Sequence, residues 1–198
     1  MCGRFYIDDE TAREIEKIAR KIDQKNAKTG DVHPSEPALV LRADSDSMVA
    51  EVLKWGYEAA RKNTLIFNAR SETVGEKPMF RHDYETHRCL IPASKFYEWK
   101  RIGEKKKEKY EFSAPGEILY LAGIYHKDPE GDRFTILTRE AEGCMTGIHH
   151  RMPLILHKEE REAWLFSLTE AEKLLEVHFA ELQRQKSEAD GYRQMSLF

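Results

Sequence analysis

The sequence predicts a single α+β domain with a mainly antiparallel, barrel-like β core flanked by helices at both ends of the chain. Three observations carry that prediction. Short apolar or aromatic runs between turn residues fill the stretch from Ala38 to about Thr138. Segments with helical periodicity stand before and after that stretch. No repeat or linker divides the 198 residues, a length that suffices to bury one good core.

The elements follow in order. Residues 9–23 read as a helix, with Asp8 or Asp9 as cap and Ile15, Ile18, Ala19 and Ile22 on one face. Gly30, Pro34 and Pro37 mark the stretch from Gln24 to Pro37 as a loop. Strands are expected at Ala38–Arg42, Val49–Lys54, Leu65–Ala69, Lys95–Trp99, Leu119–Tyr125 and Phe134–Thr138. Lys100–Lys109 has charge on every side of Gly103 and reads as an exposed hairpin tip, a solvated loop or a phosphate contact. Thr169 and Glu172 form a capping box ahead of a helix carrying Leu175, Phe179 and Leu182. Beyond Gln185 the sequence turns polar and aperiodic, so the domain is assigned to residues 1–185 and a flexible tail to 186–198.

Composition narrows the function classes. Hydrophobic residues make up 40% and charged residues 34%, as in ordinary globular proteins. A net charge of -3 argues against indiscriminate coating of nucleic acid, although a local basic cleft remains compatible with it. No apolar run approaches the roughly 20 residues of a membrane span, and the N-terminus lacks a signal-peptide core. A cytoplasmic monomer with no membrane partner is expected. The three cysteines, at 2, 89 and 144, make no CxxC pair and no zinc-ligand spacing, which argues against a disulfide framework or a zinc finger; no metal and no cofactor are expected. Cys89 and Cys144 read as buried small apolar residues. His82, His87, His126, His157 and His178 show no metal-ligand spacing and read as surface or packing residues.

The chemistry begins at Cys2-Gly3-Arg4-Phe5. Met1 is generally removed when the second residue is small, leaving an α-amine and a thiol on one residue. Such a 1,2-aminothiol condenses with an aldehyde to a Schiff base, and the thiol then closes a thiazolidine ring. The amine, with a pKa of about 7.7–8.0, and the thiol, at about 8.5, both offer reactive forms near neutral pH. Position 2 is expected to contribute little to a core.

Four blocks reinforce this start. They are MCGRF, NARSET with EKPMF after it, RCLIPASKFYEWK and HHRMPLIL, in that order from residue 2 to about 156. Together they resemble the SRAP family, the SOS response-associated peptidase domains that protect abasic sites. The resemblance implies an enzyme that recognises abasic sites in single-stranded DNA and shields them as a covalent adduct, in the cytoplasm and at the nucleoid when bound to DNA.

By the same resemblance Cys2 matches the crosslinking cysteine. Asn68 matches an asparagine that holds the N-terminus and the sugar. Glu98 matches a general acid/base, and His149 a histidine that helps open the sugar or shuttles a proton. Arg4, Arg70 and Arg151 would follow the DNA backbone, where guanidinium groups suit phosphate, and Trp99 lies in the matched FYEW block as a further DNA contact. Opening a closed hemiacetal calls independently for a carboxylic acid and an imidazole, and aromatic neighbours would favour the acid form of Glu98. Read without the family, Glu98 is an exposed residue of an alternating strand. His149 and His150, placed on a strand, would point to opposite faces, with His150 outward.

One segment departs from the family. Trp55 and Gly56 are present, but the Pro-Trp stretch that commonly follows is replaced by Tyr57-Glu58-Ala59-Ala60, which leaves the path of the DNA open. Trp55 suits base stacking and a core position equally. Two other classes compete: an N-terminal-nucleophile hydrolase or peptidase using the Cys2 thiol, and a non-covalent single-strand binder. The last five residues, Gln194-Met195-Ser196-Leu197-Phe198, resemble the pentapeptide that docks bacterial repair proteins on the β sliding clamp. Gln194 would make the polar contact there, and Met195, Leu197 and Phe198 the apolar ones.

Overall fold

The computed structural model describes residues 2–19, 29–59, 64–104 and 106–187. The N-terminal part runs through β1 (Phe5–Ile7), α1 (Asp9–Ile18), β2 (Gly30–Val32), β3 (Pro37–Asp44), β4 (Ser47–Trp55), β5 (Tyr57–Glu58), β6 (Leu65–Ile66) and β7 (Asn68–Arg70). The middle holds α2 (Pro78–Thr86), β8 (Arg88–Ala93), β9 (Lys95–Arg101), β10 (Lys107–Ser113), β11 (Leu119–His126) and β12 (Arg133–Glu140). Then come β13 (Arg151–Pro153), β14 (Ile155–Leu156), α3 (Arg161–Phe166), α4 (Leu168–Leu174) and β15 (Gln183–Lys186).

Five strands close on themselves in the order β12-β4-β3-β8-β11, with β11 pairing back to β12. Every junction is antiparallel except β12–β4. Strand alternation then sorts side chains into two cores. Val40, Leu53, Cys89, Ile91, Leu121 and Phe134 share one apolar cluster, while their neighbours Leu39, Leu41, Leu90, Ala122 and Leu137 share another. The second cluster includes Ile15 of α1, Tyr84 of α2 and Trp164 of α3, so the helices cover the outside of the barrel. Gly123 lies in phase with Leu121 and Tyr125. A Cβ there would come within 2.5 Å of Ile91 and 2.9 Å of the Thr135 carbonyl, so the interior leaves no room for a side chain.

A second sheet, β15-β10-β9-β1-β2, lies against the barrel. Its Phe5, Phe96 and Phe112 belong to the same cluster as the barrel interior. The α+β architecture with a largely antiparallel, barrel-like core is therefore as expected.

Several elements differ from the sequence expectation. Helix α1 stops at Ile18, with Asp8 capping Thr11 N–H at 2.8 Å; residues 20–23 lie outside the described residues. The cap of α4 is Ser167, whose hydroxyl accepts from Glu170 N–H at 3.3 Å, and Thr169 sits inside the helix. Phe179 and Leu182 are buried, but in the barrel-side cluster after the helix has ended, because the chain turns into β15 and pairs with β10. Strand β15 includes Lys186, the first residue assigned to the tail. Residues 188–198, with the whole QMSLF segment, lie outside the described residues. The β9–β10 hairpin is present, yet Lys109 is buried with its ammonium 4.4 Å from the Tyr97 ring. Among the described residues no helix is long and apolar enough to cross a membrane.

Candidate active site

Antiparallel pairing of β1 with β9 puts Phe5 opposite Phe96, which brings the N-terminal residues alongside the end of β9. Alternation then divides β9. Tyr97 and Trp99 share the other face under the Arg4 guanidinium, at 5.8 and 5.2 Å from their ring centroids, with Tyr97 buried and Trp99 half-buried. Glu98 shares the inward face with Phe96 and is 4% exposed. A carboxylate on the apolar face of a strand contradicts the exposed-strand reading of Glu98.

Cys2 is fully buried in the barrel-side core, so position 2 does contribute to packing, contrary to expectation. Burial first, and the nearby Glu98 charge second, push its thiol well above the ordinary value. Asn68 opens β7, which β12 holds in parallel register with Ile136 opposite Asn68. Its Nδ2 donates to the Cys2 carbonyl at 2.9 Å. The Asn68 Oδ1 is buried and has no hydrogen-bond partner among the described residues.

His149 completes the group from the loop before β13. Its Nδ1 is 4.0 Å from Glu98 Oε1 and accepts from the Arg151 backbone N–H at 3.0 Å. The Arg151 carbonyl lies 3.1 Å from the same nitrogen, so a protonated ring would also find an acceptor there. Burial pulls the His149 pKa below the usual imidazole value, with the Glu98 charge opposing. His149 and His150 do not point apart: they are outside any strand, and their rings stack at 4.3 Å between centroids. Both line a groove of about 540 Å³ with Trp99, Arg101, Lys107 and Gly147.

The four residues expected to be catalytic, Cys2, Asn68, Glu98 and His149, thus meet at one place. Of the expected DNA contacts, Arg4 and Trp99 lie beside it and Arg70 is exposed at the end of β7. The other two are placed differently. Trp55 is fully buried, packed against Phe5, Phe67 and Phe134, and donates Nε1–H to the Phe67 carbonyl at 2.8 Å; it presents no face to a base. Arg151 is buried, paired with both oxygens of Glu72 at 2.6 and 2.7 Å and bonded to the Thr138 carbonyl, so its guanidinium anchors the His149 loop. That pairing holds the Glu72 carboxyl below the usual range.

Sequence reasoning passed over Glu72, Arg101 and Lys107. The last two sit in the Lys100–Lys109 run already marked by its charge; Glu72 had no signal beyond its place in NARSET. One further expectation needs correction. Cys144 is only half-buried. The fold also brings ligand atoms of His82, Asp83 and His87 within 4.8 Å of one another, a proximity that residue spacing alone had not suggested.

Known proteins resemble this chain in sequence and in fold. The family model described as SOS response associated peptidase (SRAP) matches residues 1–191. The abasic site processing protein YoqW of Bacillus subtilis is 35% identical over 181 residues, covering 83% of this chain and 80% of that protein. The abasic site processing protein YedK of Escherichia coli is 30% identical over 177 residues, covering 83% and 79%. A crystal structure of a Bacteroides thetaiotaomicron protein superposes with a TM-score of 0.78 at 24% identity, covering 93% of this chain and 91% of the other.

Proposed function

The chain belongs to the SOS response associated peptidase (SRAP) family, and from that premise we propose that it captures abasic sites in single-stranded DNA as a thiazolidine on Cys2 once Met1 has been removed. The observation that carries this reading is the cluster itself: Cys2 tethered by Asn68, with Glu98 and His149 4.0 Å apart beside it.

The chemistry balances without a cofactor. The freed α-amine attacks C1′ of the ring-opened sugar and forms a carbinolamine. A proton from Glu98 or His149 lets the hydroxyl leave as water, giving the protonated imine. The thiol then adds to the carbon of the protonated imine, and its proton returns to whichever group, Glu98 or His149, protonated the departing hydroxyl. The net change is aminothiol plus aldehyde giving thiazolidine plus water.

A buried thiol beside a carboxylate stays protonated near neutral pH. That suits a sequence in which the amine reacts first and the sulfur second. It disfavours a hydrolase whose first step is thiolate attack on an amide.

The DNA strand would lie over the Trp99 face of β9 and the groove, with Arg4, Arg70, Arg101 and Lys107 at phosphates and Trp99 available for stacking. Such a protein would work as a monomer in the cytoplasm, at the nucleoid when bound, and its QMSLF terminus would dock it on the β clamp. The test offers abasic single-stranded DNA and glutamine side by side. A denaturation-resistant band with the DNA and no glutaminase activity is expected; glutamine hydrolysis without a band would replace this reading with the hydrolase.

A further inference from the structure

We propose that His82, Asp83 and His87 form a binding site for a divalent transition-metal ion of the zinc class, with His126 orienting Asp83 from its other oxygen. The site shares no residue with the Cys2 cluster. It would clamp the end of α2 to the end of β11.

The placement follows from how α2 ends. His82 and Asp83 lie in its last turns, and His87 is the residue at which the chain leaves the helix, with φ -128 and ψ 50. Its amide still bonds back to the Asp83 carbonyl at 2.7 Å. The His87 ring is thereby held over the helix end, edge-on to His82 at 5.5 Å between centroids and 4.8 Å from the Tyr125 ring.

Asp83 is the hub. It is only 2% exposed, yet its two oxygens face different imidazoles, with His87 Nδ1 3.1 Å from Oδ1 and His126 Nδ1 3.2 Å from Oδ2. Metal–ligand bonds of about 2.0–2.2 Å in a tetrahedral site place ligand atoms roughly 3.3–3.5 Å apart. The separation between His87 Nδ1 and Asp83 Oδ1 is thus already near the coordinated one, while His126 meets the other oxygen of the same carboxylate. Imidazole nitrogens with one carboxylate suit zinc, copper or nickel rather than calcium or magnesium. A dication also supplies the compensation that a buried carboxylate needs. His82 is exposed, which leaves a way in for the ion.

The rival account is a carboxylate sharing protons with His87 and His126 alone. His82 separates the two, because the proton-sharing arrangement does not use it. The full-length chain, free of any polyhistidine tag and stripped with EDTA, is titrated with Co²⁺ and then Zn²⁺. Expected are one Co²⁺ per chain with visible ligand-field bands, displacement by Zn²⁺, and a rise in melting temperature with bound metal. His82→Ala should weaken binding by at least about tenfold while leaving the circular dichroism unchanged. Because His87 packs against Tyr125, the exposed residues His82 and His126 carry the decision. Absence of a stoichiometric cobalt spectrum, or binding indifferent to both His82→Ala and His126→Ala, overturns the proposal.

Discussion

Asn68 donates its side-chain amide to the carbonyl of Cys2 across 66 positions of sequence. The nucleophile's backbone is thereby fixed to a strand that the barrel itself aligns. Orientation of this kind accelerates a condensation because reacting groups start near attack geometry. Asn68→Ala should slow adduct formation by on the order of 10²-fold, with the fold retained by circular dichroism. Single-turnover crosslinking measures it; an unchanged rate would remove Asn68 from the mechanism.

Glu98→Gln and His149→Ala should each slow crosslinking by roughly 10²–10⁴-fold, with DNA affinity nearly unchanged. The direction of the His149 shift adds a pH signature. Burial lowers its pKa, so the protonated ring is lost below the ordinary histidine value as pH rises. Any acid role of His149 should fade there and stay lost at higher pH. The rate profile of the parent protein should show that inflection and the profile of His149→Ala should not. An identical inflection in both would assign it to another group.

The arginines should divide by burial. Arg151→Ala leaves the Thr138 carbonyl and Glu72 without their partner and should cost about 1–3 kcal/mol of stability in urea denaturation. Arg70→Ala, on an exposed side chain, should change stability by less than about 0.5 kcal/mol while reducing the slope of log affinity against log salt by about one phosphate contact. The reverse pattern would show that Arg151 is the phosphate contact after all.

Much of this was legible in the sequence, and the exceptions have physical causes. Strands β3, β4, β11 and β12 alternate or run apolar between turns, so their positions could be read directly. Strand β8 is buried along its whole length and shows no alternation, and β15 is wholly exposed and polar, held by pairing with β10. Only the fold supplies either. Cys2, Asn68, Glu98 and His149 were found through ordered motifs, and their meeting depends on β1–β9 pairing, which no local pattern encodes. Arg151 reads as a DNA contact because a guanidinium suits phosphate, and Trp55 reads equally as a stacking or a core residue; only the fold shows the first in a buried ion pair and the second in the core. The His82–Asp83–His87 grouping was hidden because His87 lies beyond the helix, where its direction is set by the turn.

The C-terminal peptide gives a separate prediction. A fluorescent peptide ending in QMSLF, and the intact protein, should bind purified bacterial clamp saturably with modest affinity, since ordering a tail offsets part of the contact energy. Leu197→Ala with Phe198→Ala should abolish that binding and leave crosslinking untouched. No binding by the intact protein at concentrations on the order of tens of micromolar would end the clamp assignment.

The covalent chemistry at Cys2 is tested most directly by intact mass. The chain with Met1 removed, and the chain with Met1 retained, are each mixed with an oligonucleotide carrying one abasic site generated by uracil excision. The mature chain should give a denaturation-resistant species whose mass is the sum of protein and oligonucleotide less one water, and the Met1-retaining chain and Cys2→Ala should give none. The same stable species from either of those two forms would contradict the aminothiol mechanism.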